Sequence, residues 1–345
     1  MSIVNSISKS NRMRDKLSNY RNAFTSSANI TVLVLALILF IVVENQIDQF
    51  RVLCVICIIL GCTASTFYLI QVREVPLSQL AIERENLYKR QLKIEAGLIS
   101  EDAPIEEDNM TGDELKQVKT GKKWWEWLKV ETFYIYGMVY MLVRVAINVT
   151  MTMQPFYITR ATGYGKKETE EKSKETPIQV AIVPLISYIG QLFFSLCLQR
   201  KLTEKLRNRF LPLLVALFFI TLGSFPLAFL NGDDNVRWAV YPLAFIQGLG
   251  LIIMLNTSTS LISDVIGNDS QSAAFVYGVY SFYDKLANGT LLFFVVEGYA
   301  EDEQALKYIM SIIPIACSLG SLLFSYFGHK FFSHKMAKIT GINQR

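Results

Sequence analysis

The sequence predicts an all-α membrane protein with eight transmembrane helices and both termini cytoplasmic. Three observations carry that prediction. Six segments of about 20 residues hold no charge, at 26–43, 52–72, 178–199, 210–232, 238–263 and 308–328, and that is the length a helix needs to cross a hydrocarbon core of about 30 Å. Two more segments reach it with few interruptions: 132–159 contains only Arg144, and 270–296 only Asp284 and Lys285. The basic residues fall in alternate turns, as they do when one side of the membrane is the cytoplasm.

That alternation orients the chain. Residues 1–28 hold five Lys or Arg and one acid, the turn 200–209 five and one, and the tail 329–345 four and none. The turns between are poorer in basic residues: 44–50 has two acids and no Lys or Arg, and 297–306 has four acids and no base. The loop 160–176, with five bases against four acids, departs from the pattern without reversing it.

Taken in order, 1–28 is expected as a cytoplasmic amino-terminal segment and 29–72 as two transmembrane helices. Residues 73–129 are expected as a cytoplasmic linker. Within it 83–95 has the composition of a charged surface helix, and 101–114 is acidic and too poor in apolar residues to fold alone. The linker closes on Lys122-Lys123-Trp124-Trp125-Glu126-Trp127-Leu128-Lys129, a headgroup-level anchor of tryptophans flanked by lysines. Residues 130–331 then form a six-helix group, and 332–345 a cytoplasmic tail.

Composition excludes several classes. The chain is 345 residues long, 51% hydrophobic and 19% charged, with net charge +4 and mean hydropathy +0.30. So small a net charge, with its bases beside apolar runs, points to a bilayer and not to nucleic acid. Five cysteines (Cys54, Cys57, Cys62, Cys197 and Cys317) lie in apolar stretches and read as small buried hydrophobes. Two histidines are too few for a membrane di-iron centre. No nucleophile–base pair or metal cluster stands out, so neither an enzyme nor a cofactor is expected.

The layout of two helices, a long charged linker and six helices resembles helices five to twelve of the major facilitator superfamily. The residues narrow the likeness: Arg21-Asn22-Ala23-Phe24-Thr25 and Ala28-Asn29-Ile30-Thr31-Val32 before and into the first span; Trp127-Leu128-Lys129, Phe133-Tyr134, Tyr140-Met141, Arg144 and Asn148 about the third; Asp264-Val265-Ile266-Gly267; and the run from Ala274 through Tyr277-Gly278 and Ser281 to Gly289. Together they are similar to the glycoside–pentoside–hexuronide branch. The resemblance implies a partial major-facilitator fold and secondary active transport of a small polar solute by alternating access. The solute would be cysteine or a related amino acid, or else a sugar, with H+ or Na+ as coupling ion. It implies a lysosomal, other endomembrane or plasma-membrane location. Helices one to four of the family have no counterpart here, so the coupling-ion carboxylates that the branch carries there find no match. The chain is then expected as a piece of a twelve-helix protein, or as an eight-helix subunit that packs on a partner chain without transporting.

An ionisable group at the bilayer centre costs about 2.5–3.5 kcal/mol on insertion scales, so each needs a reason. Arg144 and Asn148 are one helical turn apart on one face of the third span, with Gln154 deeper. Arg144 suits a solute carboxylate, or equally an ion pair with Asp284 or Asp264 that staples helices. On the seventh span Tyr277, Ser281, Asp284 and Asn288 form one polar stripe. Lys285 lies about 100° away, and the resemblance makes it a solute or coupling residue. Asn256, in the run Asn256-Thr257-Ser258-Thr259-Ser260, is a cavity contact or a packing residue. Asp264, at the cytoplasmic end of the sixth span, is expected as a gate or a helix-end salt bridge.

Overall fold

A computed structural model describes residues 11–43, 45–71, 124–164, 177–198, 210–230, 236–266 and 273–340. Eight long helices occur among them: α1 (Asn11–Val42), α2 (Gln46–Gln71), α3 (Glu131–Phe156), α4 (Gln179–Phe193), α5 (Phe210–Ser224), α6 (Val240–Ile266), α7 (Ala273–Tyr299) and α8 (Glu303–Thr340). One helical turn, Trp124–Trp127, precedes α3. Seven of the eight, with their flanking turns, are long and apolar enough to cross a membrane by length and composition. The exception is α7. Its 27 residues are long enough at about 1.5 Å each, but Asp284, Lys285 and Glu297 dilute its apolar character.

The amino-terminal boundary differs from the expectation. Residues 1–28 were expected outside the membrane, yet α1 begins by Asn11 and its candidate span by Lys16. Ser18, Asn22 and Ser26 are buried, one turn apart along one helix face, and that small polar face packs on α4 and α6. The bundle therefore receives as a helix what composition alone read as a polar tail. At the other end α8 runs to Thr340, past the expected end of its span. The surface helix expected at 83–95 and the acidic stretch at 101–114 lie outside the described residues.

The bundle is organised on α3, which packs on α4, α6, α7 and α8. Its inward line of Tyr136, Val139, Val143, Ala146, Val149 and Met153 is almost wholly buried, and the spacing of three and four residues keeps it on one face. Pro155 removes one backbone donor near the end of α3, and the helix opens there into a wider turn, Tyr157–Ala161. Tyr157 then donates its hydroxyl to the Leu227 carbonyl at 2.7 Å, closing that end against the turn after α5.

Helix α6 lies very close to its neighbours. A methyl group at Gly223 of α5 would sit 2.6 Å from the Gln247 backbone nitrogen, and one at Gly248 would collide with the Ser187 carbonyl of α4. Both glycines are needed for backbones to meet without side chains between them. On the far side, α2 packs against α1, and most of its residues are exposed among the described residues. Of the cysteines, Cys317 is buried, whereas Cys54, Cys62 and Cys197 are exposed. The expectation that all five are buried is thus corrected: the apolar runs that hold the exposed three turn them outward.

Candidate functional site

Two polar links cross between helices of the bundle, one from α3 to α7 and one from α1 to α6. Arg144 comes from mid-α3 and meets Asp284 of mid-α7, Nε to Oδ2 at 3.3 Å. Asp284 is 3% exposed. Its other oxygen, Oδ1, accepts from Asn288 Nδ2 at 2.6 Å, and the same amide also donates to the Asp284 backbone carbonyl at 2.7 Å. Both carboxylate oxygens are thereby satisfied, as a buried anion requires.

Arg144 is held differently. Only its Nε is bonded among the described residues, and the side chain keeps 25% of its exposure. The two terminal nitrogens of the fork make no hydrogen bond among the described residues. A guanidinium fork with donors to spare has the geometry that suits a planar, two-oxygen acceptor.

The pair is supported from behind by aromatic packing. Tyr280, one turn before Asp284, donates to the Phe133 carbonyl at 2.6 Å, and its ring lies 5.1 Å from that of Phe133. Tyr140, one turn before Arg144, stacks on Tyr280 at 6.3 Å. These contacts join α7 to α3 on one side of the charge pair, toward the amino-terminal ends of both helices.

A second polar link joins α1 to α6. Asn22 Nδ2 donates to Asn256 Oδ1 at 2.6 Å, with both residues buried, and Arg21 Nη2 donates to Asn22 Oδ1 at 2.8 Å. Arg21 lies within electrostatic reach of Arg144, Tyr140 and Tyr277, and Tyr188 of α4 within reach of Arg144.

Several of the expected residues come together in the structure. Arg144, Asp284 and Asn288 are bonded together, Asn256 is bonded to Asn22 in the α1–α6 link, and Tyr277 is half-buried. Asn148 is half-buried and, among the described residues, makes no side-chain hydrogen bond. Gln154 is 2% exposed with Oε1 unpaired.

Others do not. Lys285 is exposed and is not brought to this cluster, because one residue along a helix turns the side chain by about 100° and Asp284 occupies the inward direction. Ser281 is exposed for the same reason, and the buried line runs through Tyr280 instead. Asp264 stands apart near Tyr136, toward the end of α6.

Arg21 and Asn22 were missed as site residues because they precede the charge-free run. The signal that could have found them is the spacing Ser18, Asn22, Ser26, a helical stripe that extends the first span toward the amino terminus.

The comparisons with known proteins agree with this architecture. The model of the Major Facilitator Superfamily matches residues 1–290. The chain is similar to major facilitator superfamily domain-containing protein 12 of Mus musculus, 36% identical over 169 residues, which is 48% of this chain and 32% of that protein. It is 32% identical over 168 residues to the Homo sapiens protein of that name, again 48% of this chain and 31% of the relative. The matched part thus spans about a third of the length of these curated relatives. No solved structure matches the chain. Because a family model covers most of its length, this multi-pass helical membrane protein belongs to the Major Facilitator Superfamily.

Proposed function

We propose that the chain is a secondary active transporter, or part of one, for a small polar solute, most simply cysteine or a related amino acid. The solute sits near the midplane against Arg144, Asn148, Asp284 and Asn288, with Gln154, Tyr277 and Asn256 at the margins of the same space. The observation that carries this reading is the state of Arg144, a quarter exposed and, among the described residues, hydrogen-bonded through Nε alone. A purely structural arginine would be expected to spend its remaining donors on the protein, since unmet polar groups in hydrocarbon are costly.

Alternating access follows from the division of the bundle. The helix pair α1–α2 and the group α3–α8 rock about the midplane, exposing the site to each side in turn. Proton or Na+ coupling, and residence in a lysosomal, other endomembrane or plasma membrane, belong to the same reading. A structural membrane subunit is the second reading, favoured by one observation: the Arg144–Asp284 pair already balances its own charges.

The test is uptake of radiolabelled cysteine and cystine into vesicles carrying the chain, beside an Arg144→Gln variant. Uptake above empty vesicles that is lost in the variant supports transport. A folded, inserted chain that takes up neither compound, alone or with the remaining family helices supplied, sinks the cysteine reading. Failure with an unbiased solute panel as well leaves the structural subunit.

A further inference from the structure

Resting on that reading of the site, we propose that Asn148 of α3 takes an ammonium group of the solute, and that Asn288 of α7 positions the Asn148 amide to do so.

The register of the two helices brings these residues together. Helix α7 packs chiefly on α3. As α7 advances from Tyr280 to Asp284, its partners on α3 advance from Phe133 and Tyr140 to Arg144, so the helices run in the same direction. Asn288 follows Asp284 by four residues, and Asn148 follows Arg144 by four. One further turn, about 5.4 Å along each axis, therefore brings the two amides level, on the faces that carry the charge pair.

Each amide has what the other lacks. Asn288 spends its Nδ2 on Asp284, at 2.6 Å to Oδ1 and 2.7 Å to the backbone carbonyl. That fixes its amide, and its Oδ1 is left buried and without a donor, in a residue 5% exposed. A buried acceptor left unmet is costly. Asn148 is half-buried and, among the described residues, makes no side-chain hydrogen bond. Turned toward α7, its Nδ2 donates to Asn288 Oδ1, and its own Oδ1 is presented beside Arg144.

An amide oxygen accepts and cannot donate, so the solute group it takes is a donor. Charge balance selects ammonium. Arg144 and Asp284 together are neutral. A lone carboxylate on the Arg144 fork would leave net negative charge in hydrocarbon, which is costly. A zwitterion brings both charges at once and leaves the site neutral. The two charged groups of an α-amino acid share one carbon, which suits side chains one helical turn apart.

The test compares amino acids with analogues that lack the amino group, on the purified full chain in lipid nanodiscs, read by calorimetric titration. The pairs are L-cysteine with 3-mercaptopropionate and L-alanine with propionate. L-Lactate, with a hydroxyl in place of the ammonium, is run beside L-alanine. Cysteamine and ethylamine, which lack the carboxylate, report the Arg144 contact separately. At least one amino acid is expected to bind about ten- to a hundred-fold tighter than its des-amino analogue, the range of one charge-assisted hydrogen bond. Asn148→Leu is expected to shrink that ratio to about three-fold or less while the preference for the carboxylate holds. Asn288→Leu should lower both contrasts, and the double variant should lose no more of the ammonium contrast than Asn148→Leu alone.

An ammonium contrast unchanged in Asn148→Leu, or L-lactate bound as tightly as L-alanine, overturns the proposal; a carboxylate preference that persists there leaves the Arg144 site standing. An ammonium contrast that survives Asn288→Leu removes the positioning role. If wild type shows neither contrast, the proposal and the reading of the site fall together. Should Asn148→Leu not insert, Asn148→Ala replaces it, and an unchanged ratio there also overturns the proposal.

Discussion

Asn22 and Asn256 are 234 positions apart in the chain and joined by a single buried amide–amide hydrogen bond of 2.6 Å. That bond is a specific tie between α1 and the six-helix group, made where neither helix can offer water as a substitute. Separating the two groups must break it.

Breaking it by substitution should therefore cost more than one exposed hydrogen bond. Asn22→Ala leaves the Asn256 amide oxygen buried without its donor, a penalty of about 1–3 kcal/mol. Thermal melts in detergent are expected to drop for Asn22→Ala and for Asn256→Ala. The double variant should fall by less than the sum of the two, since the residues share one interaction. Additive losses would show that the bond contributes little.

The charge pair gives a sharper contrast. Asp284→Asn strands Arg144 without its anion, and removing one partner of a buried pair costs about 3–5 kcal/mol, less here because Arg144 keeps a quarter of its exposure. Replacing both, as Arg144→Met with Asp284→Leu, is expected to recover most of that stability. Solute binding should not recover in the double variant. A double variant that binds as wild type would remove Arg144 from the site.

Lys285 is the control that separates sequence adjacency from spatial placement. It neighbours Asp284 in the chain and points elsewhere. Lys285→Gln is expected to change the melting free energy by less than about 0.5 kcal/mol and to leave carboxylate affinity unaltered. A loss of binding equal to that of Arg144→Gln would mean that α7 turns during the cycle.

Close helix approach is tested at Gly223. Gly223→Ala places a methyl 2.6 Å from the Gln247 nitrogen, where only backbone movement can relieve it. Overpacking of this kind costs about 1–3 kcal/mol. A lower melting temperature with unchanged solute selectivity is expected. Gly278→Ala, with open space around it, should be tolerated.

Much of this was legible from residue order, and the misses have identifiable causes. The runs 178–199, 210–232 and 238–263, which give α4, α5 and most of α6, are charge-free and defined by their length alone. Arg144 with Asp284 could be anticipated as partners, because each is an isolated charge in hydrocarbon that needs a counter-charge. The start of α1 was hidden, since Ser18, Asn22 and Ser26 are polar residues buried by helix packing and hydropathy cannot register that. Lys285 was placed at the site by the family resemblance, although its side chain lies about 100° around the helix from Asp284. Tyr280 was overlooked because a phenol reads as apolar until its hydroxyl is seen to cap a carbonyl on another helix.

The weak apolar character of α7 bears on how the chain is made. A segment carrying Asp284 and Lys285 is costly to release into lipid alone, about 2.5–3.5 kcal/mol for each charge at the centre. The guanidinium that answers Asp284 is encoded 140 residues earlier, so it is already in place when α7 leaves the ribosome. We infer that α7 is received by α3 during synthesis and does not enter the membrane independently. Glycosylation-tagged insertion of α7, with and without α3 upstream, reads this directly: equal efficiency in both would show that the late helix needs no waiting partner.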